Sequence, residues 1–179
     1  MRVRSWLTSL AGRLPGVSDA TLLRSAASGD TGALEQIVRT FAPKVYAYLC
    51  GMLGDEREAE DAMQEAFVRA ARAVERYDAN TDPELWIYGL ARRVAADIRP
   101  TPSAPPGETP PVDGDPADWA RRSLRALPAE LREVVVLRNI LRWDVDHIAR
   151  IVGVGTDEVA RRLQSGYGRL TDGMRTIPT

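Results

Sequence analysis

The sequence predicts an all-α protein: two small helical domains joined by a Pro-rich linker, the second containing a helix-turn-helix. Three observations predict this. Apolar residues recur at helical spacing almost throughout, with no alternating strand pattern to compete. Seven of the twelve prolines fall within residues 100–118. Near the C-terminus, two amphipathic segments are separated by the tight turn Gly153-Val154-Gly155.

The elements follow in chain order. Residues 1–17 form an N-terminal extension with Val3, Trp6, Leu7, Leu10 and Leu14 on one side, and read as a helical end that frays. The first domain spans residues 18–99. Ser18 or Asp19 caps a helix carrying Leu22, Leu23 and Ala26 that stops at Gly29, and Asp30 caps the next, with Leu34, Ile37, Val38 and Phe41 on one stripe. Pro43 marks a break or a fresh first turn before Val45, Tyr46, Leu49 and Cys50. Asp55 with Glu58 opens a third helix whose apolar face holds Ala59, Met63, Ala66, Phe67, Ala70 and Val74. Asp82-Pro83 opens a fourth, running through Trp86, Ile87, Leu90, Val94 and Ile98.

Residues 100–118, PTPSAPPGETPPVDGDPAD, lack core-building side chains, and proline at this density makes a semi-stiff spacer. The second domain spans residues 119–179. Pro128 initiates a helix with Leu131, Val134, Val135, Leu137 and Leu141 facing inward; its β-branched run mimics a strand, but the flanks are helical. Asp144 then caps DVDHIARIVGVG, and a second helix begins near Thr156, with Ile148, Val154, Val159 and Leu163 filling the space between the pair.

Composition excludes several classes of function. Cys50 is the only cysteine and His147 the only histidine, which rules out an internal disulfide and a zinc site built from cysteines or a histidine cluster, and leaves any catalytic relay to rest on one residue. The chain therefore reads as no enzyme, with no catalytic residue, metal site or cofactor, and Cys50 reads as core filling. No apolar run approaches the roughly 20 residues that span a bilayer, so a cytoplasmic protein without stable membrane insertion is expected. Charge is uneven. Residues 119–179 carry 11 basic and 7 acidic groups, whereas residues 100–118 carry 4 acidic and no basic ones, a contrast that suits a nucleic-acid-facing domain on an acidic tether.

The segment AEDAMQEAFVRAARAVERYDANTDPELWIYGLARRVAADIR, followed after the linker by LPAELREVVVLRNILRWDVDHIARIVGVGTDEVARRLQSGYGRL, resembles the extracytoplasmic-function (ECF) class of sigma factors. The likeness covers most of residues 20–99 and 120–170, in the family's order and spacing. It implies an RNA polymerase sigma factor that directs promoter recognition and transcription initiation. The implied partners are core RNA polymerase, promoter DNA and an anti-sigma factor.

Residue by residue, the resemblance makes AEDAMQEAFVRAA the polymerase-binding helix, and the spacing of Asp61, Gln64, Glu65 and Arg69 puts them on one face of it. Tyr77 and Trp86 stand at the family's aromatic positions around the loop 78–83, where relatives capture a base flipped from the duplex. Asn80 and Trp86 are the candidate contacts there, although Trp86 also suits the core, and Arg92, Arg93 and Arg99 are candidates for phosphate contact. The helix over 156–170 becomes the recognition helix in the major groove, with Thr156, Glu158, Arg161 and Arg162 reading and anchoring and Arg169 on the backbone.

The chain also departs from the family. Glu158 and Ala160 stand where relatives carry threonine and lysine, Ser165 and Tyr167 where they carry arginines, Glu84 where a basic residue is common, and Arg93 in place of asparagine. Each lost cation removes a phosphate neutralisation, and a carboxylate near the groove repels phosphate while permitting contact with a cytosine amino group. A second reading follows: a sigma-like interaction regulator that binds polymerase or an anti-sigma factor with weakened DNA recognition.

Overall fold

A computed structural model of the chain describes residues 18–98 and 115–175. The expectations for residues 1–17, for Arg99 and for linker residues 100–114 lie outside the described residues. Among the described residues every regular element is helical: α1 (Asp19–Ala27), α2 (Thr31–Leu53), α3 (Glu56–Ala73), a 3-10 turn (Val74–Arg76), α4 (Pro83–Asp97), α5 (Pro116–Ala126), α6 (Ala129–Asn139), α7 (Val145–Val152) and α8 (Thr156–Arg175).

The helix starts obey local chemistry. Ser18 accepts from the Thr21 amide, Asp30 Oδ1 from the Ala33 amide, Asp82 Oδ1 from the Glu84 and Leu85 amides, and Asp144 Oδ1 from the His147 amide. Two expectations need correction. Pro43 does not interrupt the chain: α2 runs through it to Leu53. Its neighbours Phe41, Ala42 and Val45 are all buried while Pro43 itself is exposed, so core packing on one face outweighs one missing amide donor on the other. The expected linker is also too long at its end, because α5 begins at Pro116, where the fixed φ of proline favours a first helical turn. Cys50 is only half-buried.

The helices pack as two compact units that do not follow chain order: residues 18–46 with 57–98, and residues 47–56 with 115–175. In the first unit, Leu22, Leu23, Ile37, Phe41, Ile87, Leu90 and Val94 are buried, each large one contributing about 1.5–3 kcal/mol. Helix α3 offers the small residues Ala59, Ala62, Ala66 and Ala70 to that core. In the second unit α6 is covered on all sides, with every residue from Arg132 to Leu137 buried. Helices α7 and α8 pack on it, and residues 47–56 complete its cover.

Glycine permits the two closest approaches to α6. A Cβ on Gly51 would lie 2.8 Å from Val136 Cγ2, and one on Gly166 2.8 Å from Val135 Cγ2. Two buried charged residues fasten the same helix. Arg132 donates to the carbonyls of Met52 (2.6 Å), Arg125 (2.8 Å) and Leu127 (2.9 Å), while the Tyr48 hydroxyl donates to Glu133 Oε1 at 3.0 Å. No helix among the described residues is long and apolar enough to cross a membrane.

Candidate functional site

Two surfaces carry the residues singled out in the first unit. On α3, Asp61 and Gln64 are exposed while Met63 and Ala70 face the core, as their spacing requires. Glu65 and Arg69 stand beside them but are engaged with each other: Arg69 Nε donates to Glu65 Oε1 at 2.8 Å, and Arg69 Nη1 reaches across to Asp97 Oδ2 on α4, also at 2.8 Å. Glu65 and then Asp97 push the Arg69 guanidinium above its ordinary range. Arg69 thus ties two helices together, whereas Asp61 and Gln64 present polar groups outward. The sequence reading missed Val68, which is 42% exposed. It lies seven residues from Asp61 and four from Gln64, and this spacing is the signal that could have found it.

The second surface is the loop between the 3-10 turn and α4. Tyr77 is buried, its ring meets Trp86 edge-on at 5.2 Å with an interplanar angle of 66°, and its hydroxyl donates to the Thr81 carbonyl. Trp86 is half-buried, so it serves the packing of the loop while keeping part of its ring outside. Asp78 Oδ1 accepts from both the backbone amide (2.9 Å) and the side-chain amide (3.1 Å) of Asn80, a local turn that holds Asn80 at the exposed tip. Arg93 is exposed and Arg92 half-buried on α4.

In the second unit the turn signals read from the sequence operate as expected. Gly153 ends α7 in the left-handed conformation (φ 78°), and its amide donates to the Ala149 carbonyl. Trp143 is buried, stacks on His147 with ring centroids 4.2 Å apart, and accepts from Arg138 Nη1 at its carbonyl, which fixes the approach from α6 to α7. Ile148, Val159 and Leu163 fill the space between α7 and α8.

Helix α8 therefore presents Thr156, Arg161 and Arg169 as exposed side chains on a rigid support. Glu158 is paired within the helix. Its Oε2 accepts from Arg161 Nη2 (2.8 Å) and Nε (3.1 Å), and its Oε1 from Arg162 Nε (2.7 Å). Arg162 and then Arg161 hold the Glu158 carboxyl below the usual carboxylate range.

Comparison with known proteins places these surfaces in context. Residues 37–99 match the family model described as Sigma-70 region 2. The ECF RNA polymerase sigma factor SigC of Mycobacterium tuberculosis is 34% identical over 150 residues, covering 75% of this chain and 80% of that protein. Among solved structures, CnrH in complex with the cytosolic domain of CnrY superimposes with a TM-score of 0.72 at 21% identity, over 88% of this chain and 97% of that one. The sigma factor RpoE in complex with the anti-sigma factor NepR from Bartonella quintana gives 0.62 at 16% identity, over 79% and 96%. These two likenesses carry the fold.

Proposed function

The chain belongs to the ECF class of RNA polymerase sigma factors, and from that membership we propose which of its surfaces meets which partner. As a sigma factor it directs promoter recognition and transcription initiation. It acts by binding in the cytoplasm and catalyses nothing itself. Residues 18–99 act as the region 2 domain and the residues from Pro116 on, where α5 begins, as the region 4 domain, joined by the Pro-rich stretch before Pro116. Asp61 and Gln64, with Val68 one turn beyond Gln64, and Glu65 and Arg69 at the edge, meet core polymerase. The partner surface of matching chemistry is basic with an apolar spot beside it. Asn80 and Trp86 meet the opened downstream strand, where an unstacked base gains about 1–3 kcal/mol from an aromatic platform. Arg92, Arg93 and Arg99 neutralise phosphates. Thr156, Arg161, Arg162 and Arg169 meet the upstream duplex through α8.

The observation that carries this reading is the α7–Gly153–α8 pair, whose second helix bears exposed cations on a buried, glycine-fitted support. A photo-cross-linking amino acid at Asn80 or at Arg161, in holoenzyme reconstituted with core polymerase on a promoter it transcribes, tests the assignment. Position 80 should cross-link about one helical turn upstream of the start site and position 161 about three helical turns upstream of it. A transcribing holoenzyme in which neither position touches DNA contradicts it.

The relatives solved with CnrY and NepR support an anti-sigma factor as a further partner. One observation favours the second reading, a sigma-like regulator with weakened DNA recognition: two of the candidate cations of α8 are already paired with Glu158.

A further inference from the structure

Glu158 lies one helical turn before Arg161 and Arg162, the i to i+3 and i to i+4 relations that bring side chains together on a helix surface, with the acid on the N-terminal side where the pairing is better. Three donors from two guanidinium groups converge on its two oxygens at 2.7–3.1 Å. Arg161 offers the Nε and Nη2 side of its fork, the same side a guanidinium uses to take a phosphate. The three side chains are not buried alike: Arg161 is 70% exposed, Glu158 34% and Arg162 22%, so the carboxylate sits between an outer and an inner arginine.

We infer that Glu158 is a built-in competitor for DNA phosphate, a positioning and specificity-determining residue that occupies Arg161 and Arg162 until the correct upstream sequence displaces it. The inference rests on the proposal that α8 faces DNA. A phosphate approaching either arginine exchanges one anion for another, so no ion pair is gained, and the displaced carboxylate remains close to the phosphate and repels it. On arbitrary DNA the exchange has no return. Where the groove offers an amino group, as cytosine does, the freed carboxylate has a donor to accept from and both arginines become available to the backbone. Glu158 thereby subtracts from sequence-independent attraction and makes the attraction of α8 conditional on sequence.

The test uses holoenzyme reconstituted from core polymerase and the full chain. Binding is measured across salt concentrations on two duplexes, one with an upstream element selected from a random pool and one with that element scrambled. Glu158→Gln should strengthen binding to the scrambled duplex more than to the selected one. The salt slope should steepen by about one to two units, and two released cations amount to about a tenfold gain on going from 200 to 50 mM salt. In an Arg161→Ala/Arg162→Ala background the gain from Glu158→Gln should shrink to the small, sequence-independent part that carboxylate repulsion alone supplies. Glu158→Asp, which keeps the charge and shortens the reach, should release the arginines in part.

Three results overturn the inference. An equal gain from Glu158→Gln with and without the arginines makes Glu158 a simple repulsive charge. A loss confined to the selected element makes it a base reader, and no change at all gives it no role. If instead Arg161→Ala/Arg162→Ala alone leaves binding to both duplexes unchanged at every salt, it is the assignment of α8 to DNA that fails.

Discussion

Arg69 on α3 donates to Asp97 on α4 at 2.8 Å, and this cross-helix pair separates the polar face of α3 into a part that serves the fold and a part that looks outward. Asp61, Gln64 and Val68 form the outward part. The two parts should respond differently to mutation. Asp61→Arg should reduce co-purification with core polymerase at least tenfold while leaving the helical circular dichroism and Tm unchanged, and Val68→Ala should weaken it further in combination. Arg69→Ala and Asp97→Ala should each lower Tm slightly, with the double mutant no worse than Arg69→Ala, which already loses the pair with Asp97 along with that to Glu65. Pull-down and thermal melts on the five variants and wild type check this; full polymerase binding by Asp61→Arg contradicts the division.

The buried groups on α6 should dominate the stability of the second unit. Removing the Arg132 side chain leaves the carbonyls of Met52, Arg125 and Leu127 without that donor and opens a cavity, so Arg132→Ala should cost about 2–4 kcal/mol. Tyr48→Phe deletes only the hydroxyl that donates to Glu133 and should cost about 1–2 kcal/mol. Urea unfolding followed by tryptophan fluorescence measures both, and an Arg132→Ala protein as stable as wild type refutes the role given to it.

Much of this fold is legible from sequence because helix ends are local events. Ser18, Asp30, Asp82 and Asp144 each cap where their side chains suggest, and Gly153 adopts the conformation only glycine takes without strain. What escaped the sequence reading depends on partners distant in the chain. Pro43 looks like a break until the core on one face of α2 is known. Arg132 and Glu133 look like surface charges until α6 is seen covered on all sides by residues 47–56, α7 and α8. The apolar spacing of α2 marks its faces but not that residues 47–56 join the second unit. At the candidate site, spacing alone put Glu158 within reach of both arginines, yet taking each residue separately as a DNA contact hid their mutual pairing.

Alkaline pH should loosen the first unit through Tyr88. Burial pushes this phenol above its ordinary value of 10.0, with the Glu84 charge adding to the shift. The neutral form is thus favoured in the fold. Its contribution to stability is fully present below about pH 10, the unfolded value, and is lost progressively as pH rises above it. Tyr88→Phe should move the alkaline unfolding midpoint upward, and absorbance titration of wild type should show phenol ionisation coinciding with unfolding. Ionisation of every tyrosine in the intact fold refutes this.

Gly153 tests the turn. A Cβ there meets nothing within 4 Å, so the cost of substitution is backbone strain at φ 78° and not collision. Gly153→Ala should destabilise the second unit by about 1 kcal/mol and Gly153→Asn by less, since asparagine tolerates the left-handed region better. Chemical denaturation of the three proteins checks the order; equal stability of the alanine variant contradicts the strain.

The most direct measurement of the central claim is run-off transcription by purified core polymerase on a genomic promoter library, with and without this chain. The account predicts transcripts that appear only when the chain is added. Their start sites should share one downstream and one upstream element, and both elements should lose their hold when the Asn80 loop or helix α8 is altered. Core polymerase that gains no promoter-specific transcript from a folded, stoichiometric chain contradicts it.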